Sequence, residues 1–164
     1  MTTIIAHKTV GQVADHFDEV IHGLKKKPAI IGHSFGGLLA QILAGRGLAS
    51  ATVAIDAAPF RGVLPLPFSA LKAAWPVLGN PANRPWTEAK VDTENPERGP
   101  LLIISGEKDN TVPRAIADAS FKQQQRNKGV TEFVEIPNRG HALTIDSGWR
   151  KVADTSLAFV KRFV

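Results

Sequence analysis

Runs of continuous hydrophobic residues constrain the fold of this chain more than any other feature of its sequence. Alternation of apolar and polar residues is missing from these runs, which is typical of strands that are covered on both faces. The runs are residues 29–31, 51–55 and 101–104, and a fourth candidate strand is residues 131–136. Helical patterns lie between them, at residues 35–45 and from Pro113 to near Gly129. Strands that alternate with helices form parallel sheets with right-handed crossovers. The sequence therefore predicts an α/β fold, a three-layer α/β/α sandwich around a short, mainly parallel sheet of about four strands.

Two further helices are predicted at the ends of the chain. Near the amino terminus, apolar residues recur at the spacing of an amphipathic helix with one buried stripe. They are Val10, Val13, Phe17, Val20, Ile21 and Leu24. The last helix is predicted over residues 147–163. We expect residues 1–164 to form a single domain, because a chain of this length can bury about 70% of its unfolded surface.

The segment between Pro59 and Pro100 interrupts the alternation of strands and helices. It holds eight of the eleven prolines in the chain, so it cannot form one regular element. We interpret residues 59–99 as a reduced cap or linker that passes over the carboxyl edge of the sheet. A short helix is predicted near residues 69–75.

Composition excludes several kinds of chemistry. The chain has no cysteine, so disulfides, thiolate metal sites and cysteine nucleophiles are ruled out. Its net charge of +5 is spread over scattered Lys and Arg, and the densest run, residues 25–27, ends a predicted helix where cations are favourable. No nucleic-acid or membrane partner is expected, and the lack of a long apolar segment favours a cytoplasmic protein. No cofactor or metal motif is visible, and none is predicted.

The sequence GHSFG at residues 32–36 matches the pattern G-x-S-x-G and lies between a predicted strand and a predicted helix. Its glycines, with Gly37 after them, would let strand and helix approach each other closely. Ser34 would then sit at the amino end of the helix, where the backbone N–H of Phe35 and the helix dipole can stabilise an oxyanion. Ser34 is the candidate nucleophile. The alternative is an ordinary glycine-rich turn with an uninvolved serine.

A candidate acid follows the third strand. Asp109, in the loop at residues 106–113, would lie at the same carboxyl edge of the sheet as Ser34. The same loop could instead serve only to cap the next helix. Glu107 and Asp56, which follows the second strand, are rival acids.

A candidate base follows the fourth strand. His141 completes the chain order Ser, Asp, His, in which the histidine can accept the proton of the nucleophile. Most single histidines are surface groups or satisfied core groups, and we interpret His7, His16 and His22 in that way.

Together, residues 32–37, 106–113 and 139–141 resemble the nucleophile, acid and histidine signatures of the α/β-hydrolase superfamily, over nearly the whole chain. His33, directly before the serine, resembles the residue at that position in many esterases and lipases. The resemblance implies a serine hydrolase that cleaves small carboxylic esters through a Ser-His-Asp triad and an acyl-enzyme. Candidate walls of the substrate pocket are His33, Phe60, Leu64, Phe68 and Trp75. The last four are apolar and could equally be ordinary core residues. The alternatives are an inert minimal scaffold, engineered or truncated, and a lyase or perhydrolase that uses the same triad.

The chain departs from the superfamily before the nucleophile. Members usually have several strands there, one of which is followed by a loop that supplies a second oxyanion N–H, whereas here the nucleophile is residue 34. We therefore expect an amino-terminal truncation, a reduced cap and weak activity, since losing one oxyanion donor typically costs about a hundred- to a thousandfold in rate. The strand at residues 29–31 would become an exposed edge, which predicts a homodimer through that edge. Residues 1–8 are an alternative cover for it.

Overall fold

The structure, a computed structural model, describes residues 8–63 and 89–164. Within these residues four strands and four helices form. The strands are β1 (Ala29–His33), β2 (Ala51–Ile55), β3 (Leu101–Gly106) and β4 (Thr131–Ile136). The helices are α1 (Val10–His22), α2 (Phe35–Gly45), α3 (Arg114–Gln124) and α4 (Trp149–Val160).

The four strands form one parallel sheet in the order β1-β2-β3-β4. Helices α2 and α3 pack on one face of the sheet, and α4 packs against β2 and β3 on the other. The predicted three-layer sandwich is therefore confirmed. Because all the strands run in the same direction, the loops that follow them meet at one edge of the sheet, and these loops carry every candidate catalytic residue.

The core consists of layers on the two faces of β2 and β3. Val53 and Ile104 point toward α4, where they pack with Val152. Ala54 and Ile103 belong to the opposite layer, beside α3. All residues of these two strands are buried, which explains why their sequences are continuously apolar. Each fully buried Val, Leu or Ile side chain contributes about 1.5 to 3 kcal/mol to folding, so this double layer fixes the framework of the candidate site.

Helix α1 forms where predicted, but its apolar stripe is only partly buried. Thr9 caps its first turn, with a reciprocal pair of hydrogen bonds to Gln12. Val10 is buried against α2, whereas Phe17 is 43% exposed and Val20 is 50% exposed. The predicted buried stripe is present in the amino-terminal turns only, because α1 packs on α2 rather than on the sheet and its later turns do not reach that surface.

The bounds of several elements differ from the prediction. β1 and β3 are each two residues longer than predicted, and α4 covers residues 149–160 rather than 147–163. Residues 1–7, the proposed helix at 69–75 and most of the proposed cap at 59–99 lie outside the described residues. The single-domain assignment and the cap therefore stay predictions. None of the helices in the described ranges combines the length and the apolar character needed to span a bilayer.

Candidate active site

Ser34 occupies the sharp turn between β1 and α2. Its φ of 55° and ψ of −117° lie in a region that residues with a side chain rarely adopt. Four backbone hydrogen bonds hold this conformation. The N–H of Ser34 donates to the carbonyl of Ile55 at 2.9 Å, and its carbonyl accepts from the N–H groups of Gly37 and Ala58, both at 3.0 Å, and of Leu38 at 3.2 Å. The turn therefore extends the β1–β2 ladder by one bond and then redirects the chain into the helix.

Two glycines allow this turn to close. A Cβ atom on Gly32 would overlap the backbone carbonyl of Gly36, and one on Gly37 would lie 2.8 Å from the Cβ of Ala57. Gly36 does not have this constraint, because a Cβ there would meet nothing within 4 Å. The expected close approach of strand and helix thus depends on Gly32 and Gly37, and not on Gly36.

Asp109 is held in its loop by both oxygens of its carboxylate. Oδ1 accepts hydrogen bonds from the N–H of Thr111 at 2.7 Å and of Val112 at 2.9 Å, while Oδ2 lies 2.7 Å from Nδ1 of His141. Burial alone would raise the pKa of Asp109, but hydrogen bonds from His141, Val112 and Thr111 outweigh it and hold the pKa below its ordinary value of 3.8. Asp109 therefore organises the turn before α3 and contacts His141 at the same time.

His141 connects the acid to the serine. Its Nε2 lies 3.0 Å from Oγ of Ser34, and its Nδ1 faces Asp109. The hydrogen bond to Asp109 raises the pKa of His141 above 6.5; burial opposes this, and the negative charges of Asp109 and Asp56 add to it. The loop that carries His141 is anchored by Leu143, which is fully buried. The structure thus brings Ser34, Asp109 and His141 together in one hydrogen-bonded chain.

The two rival acids do not take the place of Asp109 beside Nδ1 of His141. Glu107 is exposed, and its Oε2 accepts a hydrogen bond from the N–H of Asn138 at 2.6 Å. Asp56 is fully buried after β2, where its Oδ1 accepts from the N–H of Gly106 at 2.8 Å. Neither rival has a hydrogen bond to the imidazole of His141 among the contacts of the described residues.

His33 makes a contact that the sequence did not predict. Its Nε2 lies 2.8 Å from the backbone carbonyl oxygen of His141, and the centroids of the two rings are 4.7 Å apart. Burial, with the charge of His141 adding to it, lowers the pKa of His33 below 6.5. His33 is therefore neutral at neutral pH, and the Nε2 tautomer can donate its proton to that carbonyl. Its position next to the nucleophile was the only signal in the sequence.

The remaining predicted residues lie in several different parts of the structure. Phe35 is the first residue of α2 and directly follows Ser34. Phe60 is 3% exposed and packs in the cluster of α1 and α2, which is the placement of a core residue. His16 and His22 are exposed on α1, as expected of surface groups. The other predicted residues, His7, Leu64, Phe68 and Trp75, lie outside the described residues.

One group of side chains has the composition of a metal site. His33, Asp56 and His141 each offer a ligand atom, and these atoms lie within 4.8 Å of one another. Nε2 of His33 already faces a carbonyl, and Oδ1 of Asp56 already accepts from the N–H of Gly106. Both nitrogens of His141 are likewise engaged. We assign no metal to these residues.

Comparison with known proteins identifies the family. A family model described as the alpha/beta hydrolase family matches residues 5–94, which are 90 of the 164 residues. The chain belongs to the alpha/beta hydrolase family, and the resemblance stated from its motifs is confirmed. The matched region includes Ser34, whereas Asp109 and His141 follow it. No curated protein matches the chain in sequence.

Solved structures share the fold at low sequence identity. A monoacylglycerol lipase from Paleococcus ferrophilus is 20% identical, with a TM-score of 0.63 over 96% of this chain and 76% of that one. The alpha/beta hydrolase GrgF from Penicillium sp. sh18 is 15% identical, with a TM-score of 0.68 over 98% and 74%. A serine hydrolase involved in carbazole degradation is 17% identical, with a TM-score of 0.65 over 98% and 74%. At these identities the likeness concerns the fold alone.

Proposed function

We propose that this protein is a serine hydrolase that cleaves small carboxylic esters through an acyl-enzyme on Ser34. The proposal rests on one observation, the hydrogen-bonded chain from Oγ of Ser34 through the imidazole of His141 to the carboxylate of Asp109. The distances of 3.0 and 2.7 Å are those required of a nucleophile, its general base and the group that orients the base.

The first half of the reaction forms the acyl-enzyme. His141 accepts the proton of Ser34 through Nε2 while Oγ attacks the ester carbonyl. The ionised carboxylate of Asp109 stabilises the imidazolium and keeps the remaining proton on Nδ1. The backbone N–H of Phe35, at the start of α2, stabilises the oxyanion together with the helix dipole. His141 then protonates the leaving alkoxide, and the acyl group remains on Ser34.

The second half releases the acid. His141 removes a proton from water, the resulting hydroxide attacks the acyl carbonyl, and the carboxylic acid leaves as Ser34 regains its proton.

The proposed substrate class is supported by similar folds described as a lipase and a serine hydrolase. Ser34 is half-buried, and His33 lies beside it as a proposed wall of the substrate pocket. Short, activated esters are therefore the first substrates to test.

The test is hydrolysis of p-nitrophenyl acetate and butyrate by the wild-type protein, Ser34→Ala and His141→Ala. We expect turnover to fall to background in both variants. His16→Ala, which changes an exposed histidine on α1, is the matched control and is expected to keep wild-type activity. Equal rates in all four proteins would contradict the proposal.

Two further measurements separate the alternatives. An inert scaffold would not react with a fluorophosphonate, whereas an activated Ser34 is labelled and Ser34→Ala is not. Product analysis distinguishes ester hydrolysis, which yields an acid and an alcohol, from lyase or perhydrolase chemistry at the same triad.

We also propose that the protein forms a homodimer through the outer edge of β1. In the described residues this strand pairs only with β2, and Ile31 on it is 54% exposed. A groove of about 310 Å³ lies beside Ile31 and is lined by apolar side chains of α4, including Trp149 and Leu157. Antiparallel pairing of two β1 edges about a two-fold axis would satisfy free backbone groups on both copies and cover both grooves.

Light scattering after size exclusion tests this assembly. We expect twice the mass of the chain for the wild-type protein and a monomer for Ile31→Lys, which places a charge at the proposed contact. Val130→Lys, at an exposed position before β4, is the control and should remain dimeric. A wild-type monomer at high concentration would overturn the proposal.

A further inference from the structure

Asp56 is a buried carboxyl group for which the proposed reaction has no use. It follows β2 directly and is fully buried, with a φ of 39° that few residues other than Asn and Asp tolerate. Its Oδ1 accepts the N–H of Gly106 at 2.8 Å, but no donor in the described residues reaches Oδ2, which is also closed to solvent. An ionised carboxylate at this position would leave a buried charged oxygen unsatisfied, and this is costly.

The charged neighbour of Asp56 is Asp109. The charge of Asp109 and a hydrogen bond to its side chain both raise the pKa of Asp56. Two carboxylates in one buried site cannot both be ionised cheaply. Asp109 is the one that ionises, because it accepts hydrogen bonds from Thr111, Val112 and His141. Within residues 8–63 and 89–164 Asp56 has a single donor, the N–H of Gly106, so the shared site favours a proton on Asp56.

The remaining titratable groups around Asp56 do not reverse this preference. The pKa of Asp56 is raised to about 7, and burial is the largest cause. The charge of Asp109 and a hydrogen bond to Asp109 also raise the pKa, whereas the hydrogen bond from the N–H of Gly106 and the charge of His141 lower it. His33 also faces the site, with its ligand atom within 4.8 Å of that of Asp56, and it is neutral at neutral pH.

We propose that Asp56 is a positioning residue that holds its proton below neutral pH and donates it in a hydrogen bond to the carboxylate of Asp109. Asp56 then adds a fourth donor to that carboxylate and fixes it in line with Nδ1 of His141. The residue makes no contact with substrate in this role; it acts through Asp109. Its effect on the reaction rate rests on the proposed hydrolase function, whereas its protonation and its hydrogen bond do not.

Two variants separate the proton donor from the rest of the side chain. Asp56→Asn keeps an acceptor for the N–H of Gly106 and replaces the acid hydroxyl with an amide donor that cannot ionise. Asp56→Ala removes both groups. In hydrolysis of p-nitrophenyl butyrate at about pH 6, where Asp56 holds its proton, we expect kcat of Asp56→Asn to stay within about threefold of wild type. Asp56→Ala should lose about ten- to a hundredfold in kcat, with KM nearly unchanged.

Spectroscopy tests the proposal without using activity. The proton shared by Nδ1 of His141 and Asp109 should give a far-downfield proton resonance that His141→Ala abolishes. We expect this resonance in wild type and Asp56→Asn, and its loss or a large upfield shift in folded Asp56→Ala. An unchanged resonance in Asp56→Ala would overturn the positioning role.

Infrared difference spectra of wild type and Asp56→Asn complete the test and do not depend on how well Asp56→Ala folds. At about pH 6 we expect the carbonyl band of a protonated carboxylic acid in wild type only, and its disappearance as the pH rises. Absence of this band from wild type at that pH would overturn the proposal. A failure of the wild-type protein to react with a fluorophosphonate would instead count against the hydrolase function and leave the two spectra as the test of Asp56.

Discussion

Nε2 of His33 lies 2.8 Å from the backbone carbonyl oxygen of His141, although 108 residues separate them in the chain. Burial keeps the His33 ring neutral by lowering its pKa, so its Nε2–H can donate this hydrogen bond at neutral pH. The contact links the turn that carries Ser34 to the loop that carries the histidine facing it. The distance from Ser34 to His141 therefore depends on a residue next to the serine.

Removing this contact should weaken catalysis without unfolding the protein. For His33→Ala we expect kcat/KM to fall about tenfold, which corresponds to one partly buried hydrogen bond to a loop that must stay aligned. His33→Gln, whose amide can donate to the same carbonyl, should recover part of the loss. The measurement is p-nitrophenyl butyrate hydrolysis, with His16→Ala as the control. Activity of His33→Ala within twofold of wild type would show that the loop is held by other contacts.

The two carboxylates of the loop after β3 give a matched pair for testing the acid. Asp109→Asn should lower kcat about a thousand- to ten-thousandfold, because the amide favours the wrong tautomer of His141 and cannot stabilise the imidazolium. Glu107→Gln should stay within about threefold of wild type, since Glu107 is exposed and its Oε2 accepts a hydrogen bond from the backbone N–H of Asn138. Steady-state kinetics of the two variants at one pH provides the comparison. Comparable losses in both would contradict the assignment of Asp109.

The activity should depend on pH through His141. The base must be neutral to accept the proton of Ser34, so activity rises as pH increases through its pKa. The hydrogen bond to Asp109 raises this pKa, so we expect the acid limb of the profile of kcat/KM to have its midpoint above 6.5. A proton NMR titration of the imidazole in Ser34→Ala measures the same ionisation without turnover. A midpoint below 6.5 in both experiments would mean that burial outweighs the effect of Asp109.

The glycines of the turn provide a test of its geometry. Gly32→Ala should destabilise the protein by about 3 kcal/mol, because its Cβ would overlap backbone atoms of Gly36 that cannot move without breaking the turn. Gly36→Ala is the matched control: it has open space, and helix propensity predicts a gain of up to about 1 kcal/mol. Urea denaturation of the three proteins measures both effects. Equal stabilities of the two variants would show that the turn can relax.

The sequence predicted the framework of the site better than its internal contacts. β2, β4 and α2 have the predicted bounds because their hydrophobic runs are also their packed surfaces. β1 was predicted too short because its pairing continues through Gly32 and His33 opposite β2, and a glycine in the sequence does not reveal that backbone pairing. The stripe of α1 was overestimated because periodicity shows an apolar face but not how much of it meets a partner.

Within the site, chain order named Ser34, Asp109 and His141 as candidates, and the structure brings them together because parallel strands place the loops after them at one edge of the sheet. The same reasoning named Asp56 only as a rival acid. It could not show that Asp56 and Asp109 would share a buried site, or that His33 would reach a carbonyl, since both contacts depend on side-chain directions and backbone turns. Both are tertiary contacts, and no periodic pattern in the sequence predicts them.

Asp56 should also make stability depend on pH. Its pKa is about 7 in the folded protein and close to the ordinary 3.8 when the chain is unfolded, so the folded state binds the proton more tightly. The resulting stabilisation is complete below about pH 4 and is lost as pH rises through about 7. Asp56→Asn cannot ionise and lacks this dependence. Between these limits we expect the free energy of unfolding of wild type, minus that of Asp56→Asn, to fall by about 2 to 4 kcal/mol.

Urea denaturation of wild type and Asp56→Asn at several pH values measures this difference in the free energy of unfolding. Taking the difference removes the pH-dependent contributions of His141 and Asp109 that the substitution leaves unchanged. Glu107→Gln, which removes an exposed carboxylate of the loop after β3, is measured in parallel as the control. A difference for Asp56→Asn that stayed constant would mean that Asp56 ionises in the folded protein as it does in the unfolded chain. A difference that rose with pH would mean that the fold stabilises the Asp56 carboxylate, and the proton would then have to be placed on another group of the site.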